Sequence, residues 1–445
     1  MAIDRSTIDR ATTNDLVMLA IDAHGEVAQC LGAVLVLSTG PGFDVDSLSR
    51  LIAERAVAVP RLGQRLQRVP PGCGRPVWLD DPLFDARRHI TRRRCTGGDD
   101  EAALLRVAAA VMLEPLPDRR PLWTVVLVTG LSDGKVALIV VLHHMLADGL
   151  GGLAILDSLL DGVHSASIRR ASERLPSVGL LALDAFRCRV RAVSRIPATL
   201  RTFPAALRSA GGLHPPKVPD CSLLRPTGPY RRLAVARTDL EGIRAIAHLN
   251  DGTVNDVILA AVTGALRTLL TSRGETLDEL TVTIPVDTRA GPAGTGQLGN
   301  DNTPLVVTLP SHGGLPKRIR QISRTVRRAR TSSTGPSLAA MFGPLFRVLA
   351  AVGAYRYYLR HQRRFHTIVS NLRGPSEVRT IAGSTVESII PISVGELGNV
   401  AVTFVGLTYA GTLTITAIVD PAAFPDLPLL LSALQEELGA DPAVR

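Results

Sequence analysis

Residues 136–160 read VALIVVLHHMLADGLGGLAILDSLL, and the fold follows from how this stretch changes character along its length. Residues 136–142 are all apolar, the pattern of a strand buried on both faces. The run ends in His143 and His144, turns through Asp148 and Gly149, and continues into apolar residues at helical spacing. Strand, tight loop and helix are the expected order. Gly149, Gly151 and Gly152 let the backbone turn sharply and approach a ligand closely. Successive side chains of a strand point oppositely, so the two histidines cannot share a face. One is expected to point into a cavity and the other into the structure.

A neutral histidine at the end of a buried strand suits general base work, because its pKa lies near cellular pH. Asp148, on the returning loop, is placed to orient that loop or to pair with an arginine. Metal binding competes for the same residue types, but a catalytic zinc takes three converging protein ligands. Adjacent strand histidines diverge, and no His-Glu-x-x-His occurs. No bound metal is expected.

Outward from this centre, residues 14–162 mix apolar strands at 31–37, 122–128 and 136–143 with helical stretches such as 101–112. A stretch rich in Arg, Pro and Ser follows at about 165–230, where Pro197, Pro204, Pro215, Pro216, Pro219, Pro226 and Pro229 interrupt any long helix. It reads as a crossover linker with short helices. Residues 240–270 read as two helices broken at Asn250, Asp251 and Gly252, with Thr253 or Asn255 as the cap of the second. Strands at 280–286 and 304–309, a basic helix at 315–330, an apolar helical stretch to 359, and strands at 367–370, 399–406 and 413–419 complete the chain. The expected division is an N-terminal lobe at 1–164, a linker at 165–230 and a C-terminal lobe at 231–445. The class is mixed α/β, with a pair of related lobes.

At 445 residues with 46% hydrophobic and 20% charged residues, the chain can bury a large core, which excludes a stapled miniprotein and a disordered chain. The five cysteines are scattered and never form Cys-x-x-Cys, so neither a disulfide framework nor a zinc ribbon is suggested. The opening segment lacks the apolar core of a secretory signal, and no run approaches the ~20 apolar residues of a membrane span. The expected location is the cytoplasm. The formal charge of +10 gathers at 87–94, 187–208, 317–330 and 356–364, surfaces suited to phosphates or an anionic membrane. Aromatic residues are 4% and do not interleave with the basic runs, which argues against nucleic acid.

Other catalytic signatures fail. Neither Gly-x-Ser-x-Gly nor a phosphate loop ending in Gly-Lys-Ser or Gly-Lys-Thr is present. A formal Gly-x-Gly-x-x-Gly at Gly294, Gly296 and Gly299 is followed by a strand, where a dinucleotide site needs a helix.

His143-His144-Met145-Leu146-Ala147-Asp148-Gly149 resembles the His-His-x-x-x-Asp-Gly motif of the coenzyme A-dependent acyltransferase superfamily. Within it, the chain is most similar to the bacterial bifunctional wax ester synthase/acyl-CoA:diacylglycerol acyltransferases. WLDDPLFD at 78–85, Pro121-Leu122-Trp123, TVNDVIL at 253–259, PVDTR at 285–289, Gly299-Asn300 and SNLRGP at 370–375 agree in order. The resemblance covers nearly the whole chain. It departs at Leu372-Arg373, where the family usually shows Val-Pro, and matches loosely near Asn14-Asp15.

The resemblance implies two chloramphenicol acetyltransferase-like lobes with the active-site channel between them. It implies His144 as the general base that activates an acceptor hydroxyl for direct attack on an acyl-CoA thioester. His143, Asp148 and Gly149 would support it, with Asp148 held by an arginine such as Arg289. Asn255 and Asp256 match the family's Asn-Asp pair, expected with Arg289, Asn300 and Asn371 to bind substrate or hold the lobes together. The expected activity joins a long-chain acyl group to diacylglycerol or a long-chain alcohol, with acyl-CoA as co-substrate and no bound cofactor. Lipid substrates imply peripheral contact with an anionic membrane, at its inner face, or with a lipid droplet, through residues 187–208 or 338–359. A carrier-protein-dependent acyltransferase of the same superfamily and an inactive lipid-binding or lipid-droplet protein remain as alternatives.

Overall fold

All eight residues of the 136–143 strand are buried, and the rest of the first lobe is arranged around it. The computed structural model describes residues 8–22, 27–96, 100–116, 120–162, 175–194, 217–287, 302–332, 354–395 and 398–439. The first lobe runs α1 (Thr13–Asp22), β1 (Cys30–Ser38), α2 (Val45–Ala58), β2 (Gln64–Gln67), β3 (Val77–Asp80), β4 (Ile90–Arg94), α3 (Asp100–Leu113), β5 (Trp123–Thr129), β6 (Val136–His143) and α4 (Gly149–Ser158). After α5 (Val178–Ser194) come β7 (Arg232–Asp239), α6 (Leu240–Leu249), α7 (Val254–Ser272), β8 (Glu279–Asp287), β9 (Asn302–Pro310), α8 (Leu315–Ser332) and α9 (Ala354–Arg360). The chain closes with β10 (Thr367–Arg373), β11 (Thr380–Ile381), β12 (Ser384–Ser393), β13 (Val402–Tyr409), β14 (Thr412–Val419) and α10 (Leu427–Glu437).

The strands form two six-stranded mixed sheets, ordered β11-β12-β1-β6-β5-β4 and β7-β14-β13-β10-β8-β9, beside the small β2-β3 pair. The period of two along β6 explains its total burial. Leu138, Val140 and Leu142 join a core with α2 and α4, while Ala137, Ile139 and Val141 join a second core with α3. That second core also takes Leu233, Val235 and Ile418 from the second sheet, which packs the lobes together. A third core fills the other face of the second sheet against α6, α7, α8 and α10.

The sheets do not divide at one point in the chain. β11 and β12 leave the C-terminal segment and complete the first sheet, with β12 antiparallel to β1. Asp161, just past α4, holds this crossover: its carboxylate accepts from Thr380 Oγ1 at 2.8 Å and Gly383 N–H at 3.2 Å while Arg55 of α2 pairs with it at 2.5 Å. Tyr409 of β13 adds a second tie, donating to the Val386 carbonyl and accepting from Arg379 N–H, each at 2.8 Å.

The linker holds a longer helix than its prolines suggested. α5 has 17 residues and ends at Ser194, before Pro197. It docks on the β2-β3 side through buried Leu181 and Ala185. The Arg10–Asp184 ion pair at 2.7 Å and a 2.8 Å bond from Arg189 to the Gly72 carbonyl reinforce the contact. Its opposite side leaves Leu183, Phe186 and Val190 exposed at 44%, 59% and 50%, with exposed Arg187, Arg189 and Arg191 around them.

The two helices expected at 240–270 form with the expected break, and Thr253 caps α7. α7 is long and apolar enough by length and composition to cross a membrane, a candidate the sequence reading missed. It is instead a core helix, with residues 256–266 all buried. The Gly294–Gly299 pattern lies outside the described residues, and a strand, β9, follows it.

Candidate active site

The catalytic candidates are built where β6 ends. His143 is the last residue of the strand, opposite Cys30 of β1, and is 3% exposed. Its Nε2 lies 2.5 Å from Asp22 Oδ2 at the end of α1, and its Nδ1 accepts from Met145 N–H at 3.1 Å. An acceptor Nδ1 places the ring proton on Nε2, aimed at the carboxylate. Both nitrogens of His143 are therefore committed within the protein.

His144 differs. Its backbone N–H donates to the Gln29 carbonyl at 2.7 Å, which fixes the main chain. Its side chain is half-buried, and Nδ1 meets no hydrogen-bond partner on another residue. Burial pushes the imidazole below its ordinary 6.5, against smaller opposing effects of a hydrogen bond to its own backbone and of the Asp148 and Asp22 carboxylates. Desolvation disfavours the charged ring.

The rest of the motif shapes the loop. Asp148 is buried and caps α4, accepting from Gly151 N–H at 2.9 Å, while its own carbonyl accepts from Gly152 N–H at 2.7 Å. Gly149 faces the second lobe: a Cβ there would stand 2.8 Å from Leu372 Cδ2 at the end of β10. The motif loop therefore lies against the other lobe's sheet, and a side chain at position 149 would have to displace the tip of Leu372.

Second-lobe residues are brought together less completely. Asn371 precedes Leu372 in β10, and its Oδ1 is buried without a partner. It lies 3.1 Å from the position a Cβ on Gly406 would take, close to Ile258 of α7 at 3.6 Å from the same point. Asn255 sits one turn before Ile258, and its Nδ2 is likewise buried and unpaired. Asp256 closes a capping box, its Oδ2 accepting from Thr253 N–H and Oγ1, each at 2.8 Å. These contacts tie Asp256 to the start of α7. Arg289 and Asn300 lie outside the described residues.

Pro121-Leu122 leads into β5, which starts at Trp123, and Trp123 is core: its Nε1 donates to the Leu62 carbonyl at 2.7 Å and its ring stacks on His89. Among the described residues no three His, Cys, Asp or Glu side chains gather as a metal site. Sequence reading missed Asp22 and Gln29. An acid at a helix end before a strand was the available signal, but nothing local links it to a histidine 121 residues away.

A pH profile follows from the burial of His144. With His144 as the general base, the ring would have to be neutral, and burial holds its pKa below 6.5, so activity would be retained as pH falls through 6.5 and lost at a lower pH. The acid limb of kcat/KM is therefore expected below 6.5; a limb at or above that value would show that a different group is titrating.

Comparison with known proteins fits this site. Residues 12–258 match the family described as the wax ester synthase/diacylglycerol acyltransferase catalytic domain, and residues 298–440 match its C-terminal domain. A protein of Mycobacterium tuberculosis strain H37Rv, described as a probable diacylglycerol O-acyltransferase, is 31% identical over 409 residues, covering 87% of this chain and 86% of that one. The solved wax ester synthase/diacylglycerol acyltransferase from Marinobacter aquaeolei VT8 superposes with a TM-score of 0.65 at 20% identity, covering 97% of this chain and 98% of that one. The first condensation domain of the calcium-dependent antibiotic synthetase gives 0.66 at 18% identity, over 99% of this chain and 98% of that one. These superpositions confirm the two-lobed fold, and the sequence matches, which span both lobes, place the chain in the wax ester synthase/diacylglycerol acyltransferase family.

Proposed function

We propose that this O-acyltransferase moves a long-chain acyl group from acyl-CoA to the hydroxyl of diacylglycerol, with long-chain alcohols as a second acceptor class, by direct transfer. The observation that carries the reading is the division between the two histidines. His143 has both ring nitrogens engaged, whereas His144 Nδ1 meets no partner on another residue, in a motif whose Gly149 lies against Leu372 of the second sheet. His144 takes the proton of the acceptor hydroxyl as its oxygen attacks the thioester carbonyl. The tetrahedral adduct then expels the thiolate of coenzyme A, which takes the proton back from His144. Products are the ester and free coenzyme A, with no acyl-enzyme. Cys30, opposite His143, is no competing nucleophile, since burial and the Asp22 charge push its thiol up to about 12.

The test is thiol release from palmitoyl-CoA, with and without dioleoylglycerol or hexadecanol, with the lipid product identified. Acceptor-dependent release forming triacylglycerol supports the reading. Release only from an acyl carrier protein donor favours a carrier-dependent transferase, and no transfer from either donor favours a lipid-binding protein.

We further propose that α5 rests on an anionic lipid surface, a membrane or a lipid droplet. Leu183, Phe186 and Val190 recur at i, i+3 and i+7 on its solvent side, flanked by arginines, the composition of an interfacial helix. Burying a Leu or Phe side chain contributes about 1.5–3 kcal/mol, and each arginine near an anionic surface about 1 kcal/mol. L183S/F186S is expected to weaken flotation with phosphatidylglycerol vesicles at least ~10-fold while leaving turnover of a water-soluble short-chain substrate unchanged. Equal flotation of parent and variant would remove α5 from the interface.

A further inference from the structure

We infer that Asp22 is a positioning residue for acyl transfer, acting through His143 on the backbone that presents His144; the inference rests on the reading of His144 as the base. Its carboxylate receives two donors from different directions. Oδ1 accepts from Gln29 N–H at 2.9 Å, and Oδ2 from His143 Nε2 at 2.5 Å. Each partner then grips the peptide on one side of His144. The carbonyl of Gln29 accepts His144 N–H at 2.7 Å, and Nδ1 of His143 accepts Met145 N–H at 3.1 Å. The chain is closed: carboxylate to imidazole to Met145, and carboxylate to Gln29 to His144. A further bond from Leu146 N–H to the His143 carbonyl at 2.9 Å tightens the turn.

This arrangement needs a carboxylate. Its two oxygens are pure acceptors, matching two N–H donors, whereas an asparagine of the same shape has one acceptor and one NH2. Asparagine at position 22 would set its NH2 against either Gln29 N–H or His143 Nε2–H. The second choice drives the imidazole to its other tautomer, and Met145 N–H then faces a ring N–H. Either way one strut beside His144 is lost. Asp22 touches no reacting atom in this scheme. Its role is to select the tautomer of His143, and through it the position of the base, as outer partners of histidine ligands do in other sites.

The test joins a spectroscopic readout to kinetics. In protein with 15N-labelled histidine side chains, with His143 assigned by its loss in His143→Gln, the parent is expected to show an unprotonated Nδ1 and a low-field Nε2–H. Asp22→Asn should abolish the low-field proton. The same variant is expected to lower kcat for palmitoyl-CoA ~10- to 100-fold, the range of a misplaced catalytic group, with KM within about twofold and an unchanged melting temperature. A parent ring protonated on Nδ1, ring signals unchanged in Asp22→Asn, or a kcat within twofold of the parent would overturn the inference. The ring measurement needs no turnover, so it decides the role of Asp22 in the His143 tautomer even if His144 proves not to be the base.

Discussion

His144→Ala is expected to cut kcat/KM for transfer from palmitoyl-CoA to dioleoylglycerol by about a thousandfold, within the 10²–10⁴ range of a positioned general base. The loss should fall mainly on kcat, because the ring acts when the proton moves rather than when substrate binds. Folding should hardly suffer: His144 is half-buried, its backbone bond to Gln29 survives truncation, and its Nδ1 has no partner on another residue to strand. Single-turnover thiol release, product chromatography and thermal unfolding on the same preparation read all three. A variant keeping more than about a tenth of the parent activity would be incompatible with base catalysis at this position.

Gly32→Ala should have the largest effect on stability. β1 lies between β12 and β6, so Gly32 is paired on both sides, with Ile392 and Val141. A Cβ at this position would stand 2.0 Å from the Val140 carbonyl oxygen. That obstacle is backbone in the middle of a sheet, and no side-chain rotation relieves it. Overpacking of this kind costs about 3 kcal/mol or somewhat more, which for a lobe of this size lowers the melting temperature by roughly 6–12 °C. Since β1 also pairs Cys30 with His143, activity should fall below the temperature at which the lobe melts. A melting temperature within about 1 °C of the parent would mean that β1 and β6 separate at little cost.

Much of this molecule was legible because its signals are local. The run at 136–142 has no polar residue to leave unpaired inside a sheet, so it announced a doubly buried strand, and the structure has one at 136–143. The Asn250-Asp251-Gly252 break separates α6 from α7 as read, because a turn there competes with helix over only a few residues. The alternation of side chains along β6 separated the histidines before any contact was known, and the structure sends His143 inward to Asp22. The order of the motifs carried the family and thus the two-lobed fold.

What local pattern cannot encode is which distant segments meet. β12 reads as a strand in sequence, but its place beside β1, in the sheet of the other lobe, depends on long-range pairing and register. Asp22 became a partner of His143 only when α1 and β6 were brought together across 121 residues. Asp256, expected at the substrate or the lobe interface, closes a capping box with Thr253, a geometry set by helix-start dihedrals. Proline counting shortened α5, because no linker proline falls between Val178 and Ser194, which leaves those 17 residues free to coil. The sequence by itself determined most of the elements, the motif and the family. Only tertiary structure decided that His143 is the histidine held through both ring nitrogens, since its Nε2 partner, Asp22, lies 121 residues away in the chain.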